Sequence, residues 1–375
     1  MTSVLLKTWA LFFGFAIIAL ANGLQGTLLG VRAIVEGFSF VSTGFVVAGY
    51  YVGYLTGSIL IPIFLKRVGH IRVFAALASL ASIAILLHTL FLDPFSWFFI
   101  RILTGISLSG IYVIMESWLN DRSTNETRGR ILSIYMIVTF SFVGLGQFLL
   151  NLSDPAKVDL FILVSILLSF SLLPILLSIT DAPKFDNPKR LALKELFVIS
   201  PLGFVGAFFI GLAHSVIFGY GAVYAVAKGL SIFEISIFMV IVSIFGAIFQ
   251  WPVGFLSDRI DRRVILISVT LIASGLSIFI VISSYLSLVV FFIVLAFYAG
   301  MSLPMHSLAV AHTNDYLQPD EIVAASSSIN ILIGIGAILG PIAASLFMKF
   351  IGPDGFFVYI FIVHLLLGLF GLYRM

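Results

Sequence analysis

Apolar residues run along this chain in unbroken stretches of about twenty, set apart by short polar breaks, with no two-residue alternation. A helix needs about 20 apolar residues to cross a roughly 30 Å hydrocarbon core. Marking such runs between charged or Gly/Pro/Asn breaks predicts twelve spans, numbered here in chain order. They cover residues 8–30, 40–65, 72–91, 96–119, 131–151 and 159–179 (spans 1 to 6), then 197–226, 232–256, 264–283, 286–310, 323–348 and 355–373 (spans 7 to 12). A barrel would need alternating strands, so the continuous runs exclude it. Ala19-Leu20-Ala21 looks like a leader cleavage site, but the apolar run continues past it to Val31 and reads as a span.

Composition sharpens the class. The chain has 375 residues, 61% hydrophobic and 10% charged, with a mean hydropathy of +1.19. Soluble domains are about half apolar and a quarter charged. A soluble enzyme, a disordered chain and a nucleic-acid binder are excluded. There is no cysteine, hence no disulfide and no thiolate metal site. No two histidines have metal spacing, and neither Gly-rich stretch continues into a phosphate loop, so no metal, cofactor or ATP-driven engine is expected.

The net charge of +3 is explained by where the cations fall. With the N-terminus inside, fifteen Lys and Arg occupy one set of loops and four (Arg32, Lys157, Lys228, Lys349) the opposite set, leaving Arg101 inside span 4. That bias predicts both termini cytoplasmic, in a bacterial-type inner membrane. The basic charge is topology beside anionic lipid, not a nucleic-acid surface.

Shifting the sequence by 192 residues brings about 50 residues of its two halves into register without a gap. Gly14, Leu20, Ala21 and Arg67 fall on Gly206, Leu212, Ala213 and Arg259, and Glu36-Gly37-Phe38-Ser39 falls on Lys228-Gly229-Leu230-Ser231. Six spans followed by six in the same orientation form a parallel repeat. The predicted organisation is a bundle at 1–179, a polar cytoplasmic connection at 180–196 and a second bundle at 197–375.

Four stretches carry a resemblance. Gly254-Phe-Leu-Ser-Asp258-Arg259-Ile-Asp261-Arg262-Arg263 lies between spans 8 and 9. Its counterpart between spans 2 and 3 reads Pro62-Ile-Phe-Leu-Lys66-Arg67-Val-Gly69-His70-Ile-Arg72. Span 4 holds Arg101, Gly105 and Gly110 at motif-like spacing, and Met115-Glu116-Ser117-Trp118-Leu119 leads into a polar stretch ending Arg128-Gly129-Arg130. The first two resemble motif A, and the third motif B, of the major facilitator superfamily; the stretch around Glu116 is similar to its YcaD-type branch. Lys66 stands where the family has Asp, and Pro62 where it has Gly. The resemblance covers essentially the whole chain and implies an all-α integral membrane fold, twelve transmembrane helices in two six-helix bundles. Span 5 lacks the Gly-Pro pair of the family's antiporter motif, which argues against typical drug/proton antiport.

The resemblance also implies roles. Lys66, Arg67, Arg72, Arg128, Asp258 and Arg259 become gating charges, with Glu116 at the inner end of span 4 as their partner or as a proton carrier. Asp315, Asp320 and Glu321 become candidates to meet Lys66 across the halves. His306, loosely aligned with Glu116, is a gating or proton group. Spans 1, 4, 7 and 10 would line a central cavity, which makes Asn22, Gln25, Arg101, His214, Tyr220 and Tyr224 candidate substrate contacts. Interhelical hydrogen bonding, or snorkelling for Arg101, is the alternative. His88, His312 and His364 read as satisfied polar or interfacial residues. Gly49, Gly53 and Gly57 on span 2, and Gly336, Gly340 and Ala344 on span 11, form small-residue stripes that permit close helix approach. In the family those two spans meet, so the stripes are expected to face each other, with packing inside each half as the alternative.

These readings converge on a monomeric secondary transporter of a small organic solute, with a proton or another ion as coupling partner and efflux as one direction open to it. An integral-membrane enzyme or a non-transporting sensor is the alternative; the first would need an acid pair or a nucleophile that the spans do not show.

Overall fold

The computed structural model describes residues 2–123, 127–177, 191–318 and 321–375, and the side chains of all of these but residues 2–7, 128 and 323. The side chains of Lys7 and Arg128, Asp320, and residues 180–190 of the connection lie outside the described residues. Among the described residues, twelve helices are long and apolar enough to cross a membrane. Spans 1 to 6 are Thr8–Val35, Phe40–Val68, His70–Leu90, Pro94–Asp121, Gly129–Leu152 and Asp159–Leu176. Spans 7 to 12 are Pro201–Ala227, Ile232–Ser257, Arg262–Ser283, Leu288–Asn314, Ala324–Ile351 and Gly355–Tyr373. The helix carrying span 1 runs unbroken through Ala19-Leu20-Ala21.

Local chemistry sets the ends. In hydrocarbon, every backbone polar group must find a partner inside the protein. Side chains cap some of the ends: Asp93 accepts from Ser96 N (2.9 Å) with Pro94 in the first turn, Ser231 and Glu234 form a reciprocal capping box, and Asp261 accepts from Arg263 N (2.9 Å). Gly37 and Gly229, 192 residues apart, take φ of +76° and +78° after spans 1 and 7. Only glycine adopts that turn cheaply.

Two spans differ from the form the apolar pattern predicts. The pattern starts span 7 at 197, but Leu193–Ile199 is a separate short helix. Ser200 breaks from helical geometry ahead of Pro201, whose ring disfavours that geometry in the residue before it. Span 10 is broken: its helices are Leu288–Ser302 and Met305–Asn314, parted at Leu303 and Pro304. Proline removes a ladder donor and its ring crowds the preceding turn.

The chain divides into two compact units, one of residues 1–38 and 49–187, the other of 39–48 and 188–375. In the first, span 1 packs on spans 5 and 6, and span 3 on spans 4 and 6. In the second, span 7 packs on span 11, span 9 on spans 10 and 12, and span 8 on span 10.

Candidate functional site

A ladder of polar aromatic side chains runs along the first unit. The Arg101 guanidinium lies over the Tyr50 ring, 4.4 Å from its centroid. Tyr50 meets Tyr51 edge-on at 5.1 Å and Tyr54 at 6.0 Å, and Tyr54 meets Tyr112 at 6.4 Å. Asn22 Nδ2 donates to the Tyr112 hydroxyl at 3.4 Å. Phe15 bridges Tyr112 (5.5 Å) to Tyr135 (4.8 Å). Glu116 is exposed, yet close enough to Tyr54, Tyr112 and Tyr135 to interact with each electrostatically. Arg101 and Glu116 are fifteen residues apart on span 4, about 22 Å along a helix at 1.5 Å per residue. A cation and an anion thus end a strip of tyrosines.

Sequence reasoning singled out Asn22, Arg101 and Glu116 but missed the tyrosines between them. The signal was present. Tyr50 and Tyr54 are spaced i, i+4, and Tyr112 follows Arg101 by eleven residues, three helical turns that return to one face.

Other expected contacts take a different form. Among the described residues, Glu116 makes no ion pair with Arg67 or Arg72, which are exposed at the basic end. His70 fills the place beside span 4 instead: its Nε2 meets Ser117 Oγ at 3.0 Å and its ring meets Trp118 edge-on at 5.7 Å. In the second unit Arg262, 192 residues on, does the same job. It bonds Asp258 (3.2 Å), Asp315 (2.5 Å) and the Ala311 carbonyl (3.3 Å), tying the start of span 9 to the end of span 10. Asp315, expected to reach Lys66, is therefore engaged in its own unit, and Glu321 accepts from Gln318 N. Lys66 is exposed, and Arg259 lies 4.0 Å from the Phe255 ring centroid.

The glycine stripes are helix contacts, each within its own unit. A Cβ on Gly49, Gly53 or Gly57 would come under 3.0 Å from backbone of Phe98, Ile102 or Ile106 on span 4. One on Gly336 or Gly340 would come equally close to backbone of Phe208 or Leu212 on span 7. This corrects the expectation that the stripes face each other: a row of glycines announces close approach without naming the partner, and Gly105 supplies the matching gap on span 4. The start of span 2, which belongs to the second unit, does meet span 11 through Gly44, whose Cβ would lie 2.7 Å from the Pro341 carbonyl.

Two more placements differ. Tyr224 is sealed among Phe356 (4.8 Å, stacked), Phe357 (5.0 Å) and Phe238 (5.9 Å), in the aromatic core of its unit and not on a cavity wall. Gln25 is fully buried, with neither amide atom hydrogen-bonded among the described residues. Tyr220 is buried and donates to the Phe40 carbonyl at 2.6 Å.

At the break in span 10, His214 Nε2 meets the Ser302 carbonyl at 3.1 Å, while Ser302 Oγ meets His364 Nε2 at 3.0 Å. The first of these bonds serves a backbone carbonyl that the interrupted ladder leaves open. His306, in the next turn, is exposed.

The chain is similar to known proteins along nearly its whole length. The Major Facilitator Superfamily model matches residues 11–305 and again 203–375. The uncharacterized MFS-type transporter YcaD of Escherichia fergusonii is 24% identical, over 93% of this chain and 91% of its own length. YcaD of Escherichia coli O45:K1 is likewise 24% identical, with the same coverage. Among solved structures, the nucleoside transporter NupG superposes with a TM-score of 0.80 at 13% identity, covering 98% of this chain and 98% of that one. The D-xylose-proton symporter superposes with a TM-score of 0.77 at 12% identity, covering 97% of each.

Proposed function

Because the chain belongs to the Major Facilitator Superfamily and is a multi-pass secondary transporter, we propose that it carries a small organic solute by alternating access, along the face that bears the tyrosine ladder. The ladder is the observation that carries this reading. Tyrosine rings give the apolar face of a small solute a surface to slide on, their hydroxyls and Asn22 offer hydrogen bonds to its polar groups, and the strip runs about 22 Å along span 4. The named substrates of the solved relatives, nucleosides and D-xylose, are small polar organic molecules of the kind such a strip suits. The bundles 1–179 and 197–375 are the moving bodies, joined by a cytoplasmic connection at 180–196, in a bacterial inner membrane with both termini cytoplasmic.

Glu116 is the proton-binding group of this reading. It is the carboxylate on the ladder, exposed while crowded by three tyrosines of its own unit. Efflux is one direction open to such a carrier, and vesicles of opposite orientation would read it.

The test is transport by purified protein in proteoliposomes, screened over labelled metabolites with and without a pH gradient. Tyr112→Ala should cut initial uptake about tenfold or more, while Glu116→Gln should keep solute exchange and lose acceleration by the gradient. Unchanged transport in Tyr112→Ala, with normal folding, would remove the ladder from the pathway.

A further inference from the structure

Among the described residues, the buried Arg32 and the half-buried Lys228 are each paired with a carboxylate. Arg32 is 8% exposed; it bonds Glu36 at 2.6 Å and donates to the Pro155 (3.1 Å) and Ala156 carbonyls. Lys228 meets Asp354 at 3.0 Å and lies over Tyr285. Arg101 is different. It is 7% exposed, and among the described residues it makes no ion pair and no hydrogen bond; its partner is the Tyr50 ring. The titratable groups that act on it electrostatically are Tyr50, Tyr51 and His88, none of them a carboxylate. His88 turns its Nδ1 to the Ala84 carbonyl at 2.8 Å.

An uncompensated guanidinium lying seven residues into span 4 is expensive in hydrocarbon. A tyrosine face offsets part of that cost, but a ring quadrupole is not a counter-ion. Snorkelling would release the charge to water, and its burial shows that it does not. Nor is the site sealed, because Tyr50, Tyr51 and Tyr54 all keep part of their surface accessible. The arginine is the floor of an open aromatic face.

We propose that Arg101 is the docking point for a negatively charged solute, an organic carboxylate with an apolar or aromatic body that seats against Tyr50, Tyr51 and Tyr54. The planar guanidinium fork matches a carboxylate in bidentate fashion, which favours that anion over a bare point charge. The aromatic walls suit an organic body better than an inorganic ion. Charge that is unpaired in the empty protein becomes paired on loading, so binding energy is concentrated where the solute carries its acid group. The inference rests on the transport reading but is tested by binding alone.

The experiment is a thermal-shift titration of detergent-purified protein with acetate, benzoate and cinnamate, with benzamide and phenylphosphate as comparators. A ligand that binds only the folded state raises the melting midpoint, and more so the tighter it binds. Benzoate or cinnamate should raise the midpoint and benzamide should not. Arg101→Gln should lose about tenfold or more in apparent affinity, and Arg101→Lys, which keeps the charge without the fork, should fall between. Without ligand, Arg101→Gln should melt no lower than wild type, since it removes an unpaired buried charge. The proposal fails if none of the carboxylates acts on wild type more than on Arg101→Gln, if benzamide matches benzoate, or if phenylphosphate is preferred. Proteoliposome transport separates the two readings. Transport of a neutral solute with no carboxylate binding sinks this inference alone, and Arg101-dependent binding with no transport of any solute sinks the transport reading alone.

Discussion

Two residues 192 apart, His70 and Arg262, show how one position can keep its task and change its chemistry. Each ties the start of a span to the far end of the next, His70 through Ser117 and Arg262 through Asp315 and Ala311. The loop beside Arg262 also holds Asp261, which caps span 9 and pairs with Arg263 at 2.7 Å. That guanidinium holds the Asp261 carboxyl down to about 2. A depressed carboxyl pKa adds stability that is complete above its unfolded value, near 4, and vanishes as pH falls through the folded one. The melting-midpoint difference between wild type and Asp261→Asn should therefore be constant above about pH 4 and shrink toward pH 2; a difference that grows on acidification would rule the pair out. Asp261 was legible as a residue of the loop between spans 8 and 9, but its capping role was not, because a loop sequence gives residue types and not the backbone they serve. Tyr224 was misread for a related reason. Its i, i+4 spacing with Tyr220 fixes a shared face, and spacing alone is silent on whether that face meets a cavity or an aromatic core.

At the scale of helices, all twelve spans were legible, since about twenty consecutive apolar residues have few other uses. Interruptions were less so: Pro304 sits within a continuous apolar pattern, and the break in span 10 depends on His214 and Ser302 supplying bonds that the pattern does not encode. The glycine stripes sort by what lies opposite. At Gly53 a Cβ would collide with the Ile102 carbonyl, whereas at Gly26 it would meet nothing within 4 Å. Gly53→Ala should cost about 1–3 kcal/mol as an overpacked contact, and Gly26→Ala should be neutral or stabilising by up to about 1 kcal/mol through helix propensity. Gly53→Ala and Gly340→Ala touch different helices, so their costs should add within about 0.5 kcal/mol. Denaturant unfolding of the single and double variants would measure this, and a strongly sub-additive pair would return the stripes to a shared interface.

For the whole molecule, the family fold was reached through span count, repeat and loop charge together, no one of which suffices alone. Orientation rests on the cation bias, and it makes a direct forecast. Reporter fusions after Met375 should read as cytoplasmic, and fusions near Asp154 as external; the reverse pattern would overturn the assignment. What the whole chain did not disclose was the ladder on its first unit. Its members come from spans 1, 2, 4 and 5, so it exists only after those helices have packed.

The matched turns at Gly37 and Gly229 have one more consequence. A duplicated chain is its own control experiment: every position has a sibling on the same scaffold that was free to diverge. Where siblings agree, as at these glycines and at Arg67 and Arg259, the residue belongs to the architecture. Where they part, the difference is what each half was recruited to do. Arg101 and Glu116 stand on span 4, whereas its counterpart, span 10, carries no Lys, Arg, Asp or Glu between Leu288 and Asn314. The charged vocabulary of the ladder is thus the property of one half alone, written onto a frame that the other half keeps in plainer form.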